Sequence, residues 1–184
     1  MRLADIDILI IPGWTNSGPD HWQSRWERNM RSARRVEQAD WDTPICADWE
    51  ERIVAEAQAA RRPTVLVAHS CGVTAVVRAA PRLAGTRVVG AFLVAPSDVA
   101  GQDIWIAKEG GFAALPEDPL PFPSKLIGSS TDPYCSVERA QELGLAWGSD
   151  VSIIAEAGHI NTASGHGPWP EGLLSFGIFL KRLG

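Results

Sequence analysis

The sequence predicts an α/β fold in which a mostly parallel sheet carries helices on both faces. Three observations lead there. Short apolar or β-branched runs alternate with segments of helical period along the chain; no repeat or low-complexity linker breaks the alternation; and 184 residues can bury one substantial core within the usual size of one domain. Residues 1–184 are accordingly read as a single domain, its parallel strands joined by right-handed crossovers.

In chain order, the apolar run at 6–11 reads as a buried strand stopped by Pro12-Gly13. Residues 19–34 read as a helix, because Trp22, Trp26 and Met30 recur every fourth position on one face. A short strand is expected at 36–39 and a second helix at 47–61, after which Arg62-Pro63 turns the chain into a β-branched strand at 64–68. Helical period resumes directly after His69-Ser70-Cys71-Gly72, with Val73, Ala75, Val76, Val77, Ala79 and Ala80 before Pro81. Further strands are predicted at 88–94, 125–128 and 151–155, and further helices at 136–147 and 171–183. The stretch 95–123 is long and rich in glycine and proline, so an irregular excursion carrying Trp105, Phe112 and Phe122 is expected there, with 102–121 open as a small lid.

Composition narrows the function classes. A formal net charge of −5 disfavours nucleic acid and anionic membranes as partners, and the one basic cluster, Arg28, Arg31, Arg34 and Arg35, reads as a solvated helix face. No run of about 18 apolar residues and no leader pattern occurs, which suggests a cytoplasmic protein. Cys46, Cys71 and Cys135 make an odd count without a C-x-x-C pair, so reduced thiols are expected rather than disulfides or zinc. Eight tryptophans supply large apolar rings suited to a core or to a pocket.

The chemistry centres on Ala68-His69-Ser70-Cys71-Gly72, which lies directly after a β-branched strand and directly before a helix. That context makes a nucleophile elbow: the turn is so tight that small residues must flank the serine, and Ala68 and Gly72 satisfy this. A serine hydroxyl needs a base to take its proton and a carboxylate to orient that base. His159 follows the last predicted strand behind Gly158, with His166 as the other candidate; His69 adjoins the serine and reads as a packing residue, and His21 reads as a pocket border. Asp132 lies past a strand end, held out of helical geometry by Pro133, with Asp98 as its competitor. Chain order serine, aspartate, histidine is that of the α/β-hydrolases. The backbone N–H groups of Cys71 and of Trp14, in the loop after the first strand, are the expected oxyanion donors.

Several further strings carry a resemblance: Ile11-Pro12-Gly13 with His21-Trp22 and Trp26, Asp40-Trp41 with Pro44, Ala95-Pro96, Thr131-Asp132-Pro133-Tyr134, Gly158-His159-Ile160-Asn161, and Gly167-Pro168-Trp169-Pro170-Glu171-Gly172. Together with the elbow they make the chain resemble, over nearly its whole length, the small serine hydrolases related to YdeN and to retinoblastoma-binding protein nine. The resemblance implies an α/β-hydrolase fold with a minimal cap, a triad of Ser70, Asp132 and His159, and hydrolysis of small esters or related acyl compounds without cofactor or metal. Retinoblastoma-protein binding is not implied, because Ile45-Cys46-Ala47-Asp48-Trp49-Glu50 departs from the L-x-C-x-E pattern.

A small-molecule acyl substrate is therefore expected, in a pocket drawn from Trp14, Trp22, Trp105, Phe112 and Trp169. The alternatives are a catalytically silent module of the same fold that binds a peptide or small ligand, a cysteine hydrolase using Cys71, whose side chain is expected to point away, and acyl transfer to an acceptor other than water.

Overall fold

The computed structural model describes residues 1–184. Six strands, β1 (Asp7–Ile11), β2 (Ala33–Arg35), β3 (Thr64–Ser70), β4 (Val88–Pro96), β5 (Ser124–Ser129) and β6 (Asp150–Ile154), form one sheet in the order β2-β1-β3-β4-β5-β6. All five pairings are parallel. The helices are α1 (Trp22–Asn29), α2 (Cys46–Ala59), α3 (Cys71–Leu83), α4 (Trp105–Lys108), α5 (Val137–Trp147) and α6 (Pro170–Arg182).

Side chains alternate across each strand and so sort into two cores. Leu9, Ile11, Leu66, Ala68, Ala91, Leu93 and Leu126 face α2, α3 and α5. Ile8, Ile10, Val65, Val67, Phe92, Val94 and Ile127 face α1 and α6. After β2 the chain returns to the far side of β1 to lay down β3, so the sheet reverses its winding between β1 and β3. At such a switch point the two connecting loops diverge and leave a crevice beyond the strand ends.

Three expectations shift. The second strand lies at Ala33–Arg35, ahead of the predicted 36–39, because its pairing with Ile8–Ile10 is set by β1, while the edge position tolerates arginine. That placement splits the basic cluster: Arg34 pairs with Glu56, and Arg35, only 10% exposed, reaches Glu27 at 2.9 Å and Asn16 at 2.6 Å. These two are structural ion pairs on the sheet edge, not a solvated helix face. Helix α3 runs through Pro81 to Leu83, since a proline in the last turn removes only one backbone bond.

The excursion between β4 and β5 is packed down. Phe112 and Phe122 are buried, Cys46 N–H donates to Gly110 O at 2.8 Å, and Trp147 Nε1–H donates to Pro116 O at 2.7 Å. The loop is thus stitched to the start of α2 and the end of α5.

Candidate active site

Ser70 closes β3 and precedes the first residue of α3, with φ 57° and ψ −127°. A non-glycine residue held there stores strain, which neighbouring packing must hold in place. That packing leaves no spare volume: a methyl on Gly72 would sit 2.5 Å from Ile11 O, and one on Gly13 would sit 2.6 Å from Ser70 Cβ. Gly13 is a requirement the sequence reading did not attach to the elbow.

Ser70 Oγ lies 2.9 Å from His159 Nε2, and His159 Nδ1 lies 3.0 Å from both carboxylate oxygens of Asp132. The roles follow from the partners. A carboxylate only accepts, so Nδ1 carries the proton, Nε2 presents its lone pair, and Ser70 O–H donates to it. Ser97 Oγ is 2.8 Å from Ser70 Oγ on the other side, and with the Ser70 proton already directed at His159, Ser97 donates. Sequence reasoning passed over Ser97; its only signal was a small polar residue just past the end of β4. The competing acid, Asp98, instead accepts from Arg139 Nε at 2.6 Å, and His166 pairs with Ser164 Oγ at 3.2 Å. Neither approaches the serine.

The loops that carry His159 and Asp132 are tied together by three consecutive hydroxyls. Ser129 Oγ accepts from Ala157 N–H at 3.1 Å, Ser130 Oγ from Glu156 N–H at 2.9 Å, and Thr131 Oγ1 from Gly158 N–H at 3.0 Å. From the other side, Trp22 Nε1–H donates to Ile160 O at 2.9 Å, and His69 Nε2–H donates to His159 O at 2.9 Å. His69 is a support for the loop that carries His159.

Trp14 and Cys71, the expected oxyanion donors, both line the cavity beside Ser70. Trp14 N–H makes no backbone hydrogen bond, and Cys71, at the first position of α3, has one of the N–H groups that no helix satisfies internally. Cys71 is buried and lines that cavity together with Trp14 and Ser97. Burial raises its pKa, as burial pushes Cys46 and Cys135 up to about 12, so the site holds a thiol and not a thiolate. No group of three or more His, Cys, Asp or Glu is placed to hold a metal ion.

The expected aromatic pocket is redistributed. Trp22, Trp169 and Phe112 are buried core rings, the first two packed on each other with centroids 5.1 Å apart and the third on Trp49 at 5.3 Å. Trp105 sits on the exposed side of α4 and lines neither cavity beside Ser70. Local sequence cannot separate a ring that fills a core from one that walls a cavity. Only Trp14 lines the crevice, its Nε1–H tethered to Asp42 O at 2.9 Å.

A family model described as serine hydrolase matches residues 8–177. This chain belongs to the serine hydrolase family. Among solved structures, this serine hydrolase is similar to a YdeN-like hydrolase from Pectobacterium atrosepticum, with 30% identity, 98% of this chain and 93% of that one covered, and a TM-score of 0.85. It shares its fold with the ydeN gene product of B. subtilis (17% identity, 95% and 98% covered, TM-score 0.78) and with the esterase RhEst1 from Rhodococcus sp. (14%, 100% and 93%, 0.66). A comparison with curated proteins finds no match. The fold is therefore that of the α/β-hydrolases, and the protein is an enzyme of the hydrolase type.

Proposed function

We propose that this hydrolase cleaves small esters or related acyl compounds through an acyl-enzyme on Ser70. One observation carries the reading: the unbroken line from Ser70 Oγ through His159 to Asp132, with links of 2.9 and 3.0 Å. In the cycle, Ser70 Oγ attacks the acyl carbon as its proton passes to His159 Nε2, while the Trp14 and Cys71 N–H groups meet the oxyanion. The resulting imidazolium, stabilised by the Asp132 carboxylate, protonates the departing alcohol. Water then gives a proton to His159, its oxygen attacks the acyl carbon, and collapse of the second tetrahedral intermediate returns that proton to Ser70 and frees the acid.

No helix is long and apolar enough to cross a membrane. Membership of the hydrolase family and the acidic net charge support a small-molecule substrate, and we propose a cytoplasmic enzyme working as one domain over residues 1–184.

Hydrolysis of a short-chain p-nitrophenyl ester series, with fluorophosphonate labelling, tests the reading on native protein and Ser70→Ala. Turnover should drop by roughly 10⁶-fold, and labelling should vanish, in the variant. Native protein that neither labels nor turns over would leave the silent binding module as the better reading.

A further inference from the structure

Two cavities meet at Ser70, and they are chemically unlike. One, about 210 Å³, is walled by Val99, Ile104, Ile106, Tyr134 and the Cys71 thiol. The other, about 220 Å³, is lined by Asn16, His21, His69 and Thr162. Trp14, Thr15, Ser70, His159 and Asn161 belong to both. Each has room for roughly seven water-sized groups, so what straddles Ser70 is small at both ends.

The polar cavity has a definite donor and acceptor pattern. His21 Nδ1 accepts from Gln23 N–H at 3.2 Å, which leaves the neutral ring's proton on Nε2. His69 Nε2–H donates to His159 O, which leaves a lone pair on Nδ1. The two rings pack edge to face, with centroids 4.9 Å apart. His21 Nε2 and His69 Nδ1 have no protein partner, yet neither is sealed from solvent, although the residues are only 6% and 5% exposed. One donor and one acceptor, without protein partners and carried by two residues that line the cavity, match a group that accepts and donates at once. No Lys, Arg, Asp or Glu lines either cavity, so an ionised end would meet no opposite charge.

We propose that the substrate is a small ester with two unlike ends: a short apolar chain seated against Val99, Ile104 and Ile106, and an uncharged hydroxyl-bearing end read by His21 Nε2–H and His69 Nδ1. This rests on the acyl-enzyme chemistry proposed above. A methyl in place of the hydroxyl leaves both nitrogens buried and unpaired, which is where discrimination of this kind is strongest.

The test compares kcat/KM for matched pairs: the ethylene glycol monoester of butanoic acid against propyl butanoate and, with the ends exchanged, butyl hydroxypropanoate against butyl butanoate. In one of the two series the hydroxyl compound should be favoured by about tenfold or more. His21→Phe, which keeps a ring and removes the donor, should bring that ratio to within about threefold of one. Native ratios near one in both series, with Ser70 still labelled by fluorophosphonate, would overturn the substrate class and leave the hydrolase reading standing. A preference that persists in His21→Phe would overturn the assignment to His21. Native protein that hydrolyses none of the four esters and takes no label would overturn both readings.

Discussion

Where the face of the sheet bearing α2, α3 and α5 meets the site, the residues are small: Ala68, Cys71, Gly72 and Ala75 are all buried, and Gly13 lies against the serine itself. The face bearing α1 and α6 is built from large rings. Trp22 packs edge to face on Trp26 with centroids 4.8 Å apart and touches Trp169 and His69, and Phe92 and Phe176 continue the stack. Ser70 is held by the absence of volume around a strained turn, and His159 by volume that ends in a directed N–H. Substitutions that add atoms should therefore injure one side, and those that remove atoms the other.

The largest effect is expected for Trp22→Ala, which opens a cavity in the aromatic face and releases Ile160 O; a loss of about 4 kcal/mol should appear in urea unfolding. Gly72→Ala should cost about 3 kcal/mol by overpacking against Ile11 and Pro12 backbone oxygens, and should also slow fluorophosphonate labelling. An unperturbed Gly72→Ala would contradict the close approach of β1 to the elbow.

A pH effect sharpens the same contrast, because the titrating groups sit on the ring-filled side. Burial first, then the charges of Arg35 and His159, lowers His21 to about 4 from its ordinary 6.5, and burial lowers His69 in the same direction. Below pH 6.5 the unfolded chain takes up a proton that folded His21 refuses. Its contribution is therefore complete above that pH and is lost as pH falls toward 4. The loss should be on the order of 3 kcal/mol, read as a falling urea midpoint. His21→Phe should flatten the slope, and an unchanged slope would remove His21 from the account.

The smallest effect is assigned to Ser97→Ala. Removing the second hydrogen bond to Ser70 Oγ should change kcat roughly fivefold, about 1 kcal/mol, with the unfolding midpoint little altered.

Much of this arrangement was legible from sequence where the requirement is local. A β-branched strand, Ala68-His69-Ser70-Cys71-Gly72 and an apolar helix can be read in one window, and Asp132 and His159 stand out as strand-end residues in the right order. What escaped depends on partners distant in the chain. Gln23, fully buried, donates to Ile11 O at 3.1 Å and Val67 O at 3.2 Å, tying β1 to β3, and nothing beside it in sequence announces that. The hydroxyls of Ser129, Ser130 and Thr131 likewise grip a loop some 26 to 28 residues further along the chain, which no local pattern signals. Trp22, Phe112 and Trp169 are core rings and not pocket walls, because a large apolar ring reads the same in sequence whether it fills a core or lines a cavity.

The three hydroxyls at 129–131 have a consequence for proton traffic. Because they clamp the backbone at 156–158 onto the loop that carries Asp132, Asp132 and His159 form one mechanical cartridge, joined to the elbow by two 2.9 Å contacts, one from Ser70 Oγ to the ring and one from His69 to the His159 carbonyl. Closing or stretching the Ser70 contact leaves the carboxylate–imidazole pairing undisturbed, so in the proposed cycle Nδ1 keeps its proton while Nε2 gains and loses one.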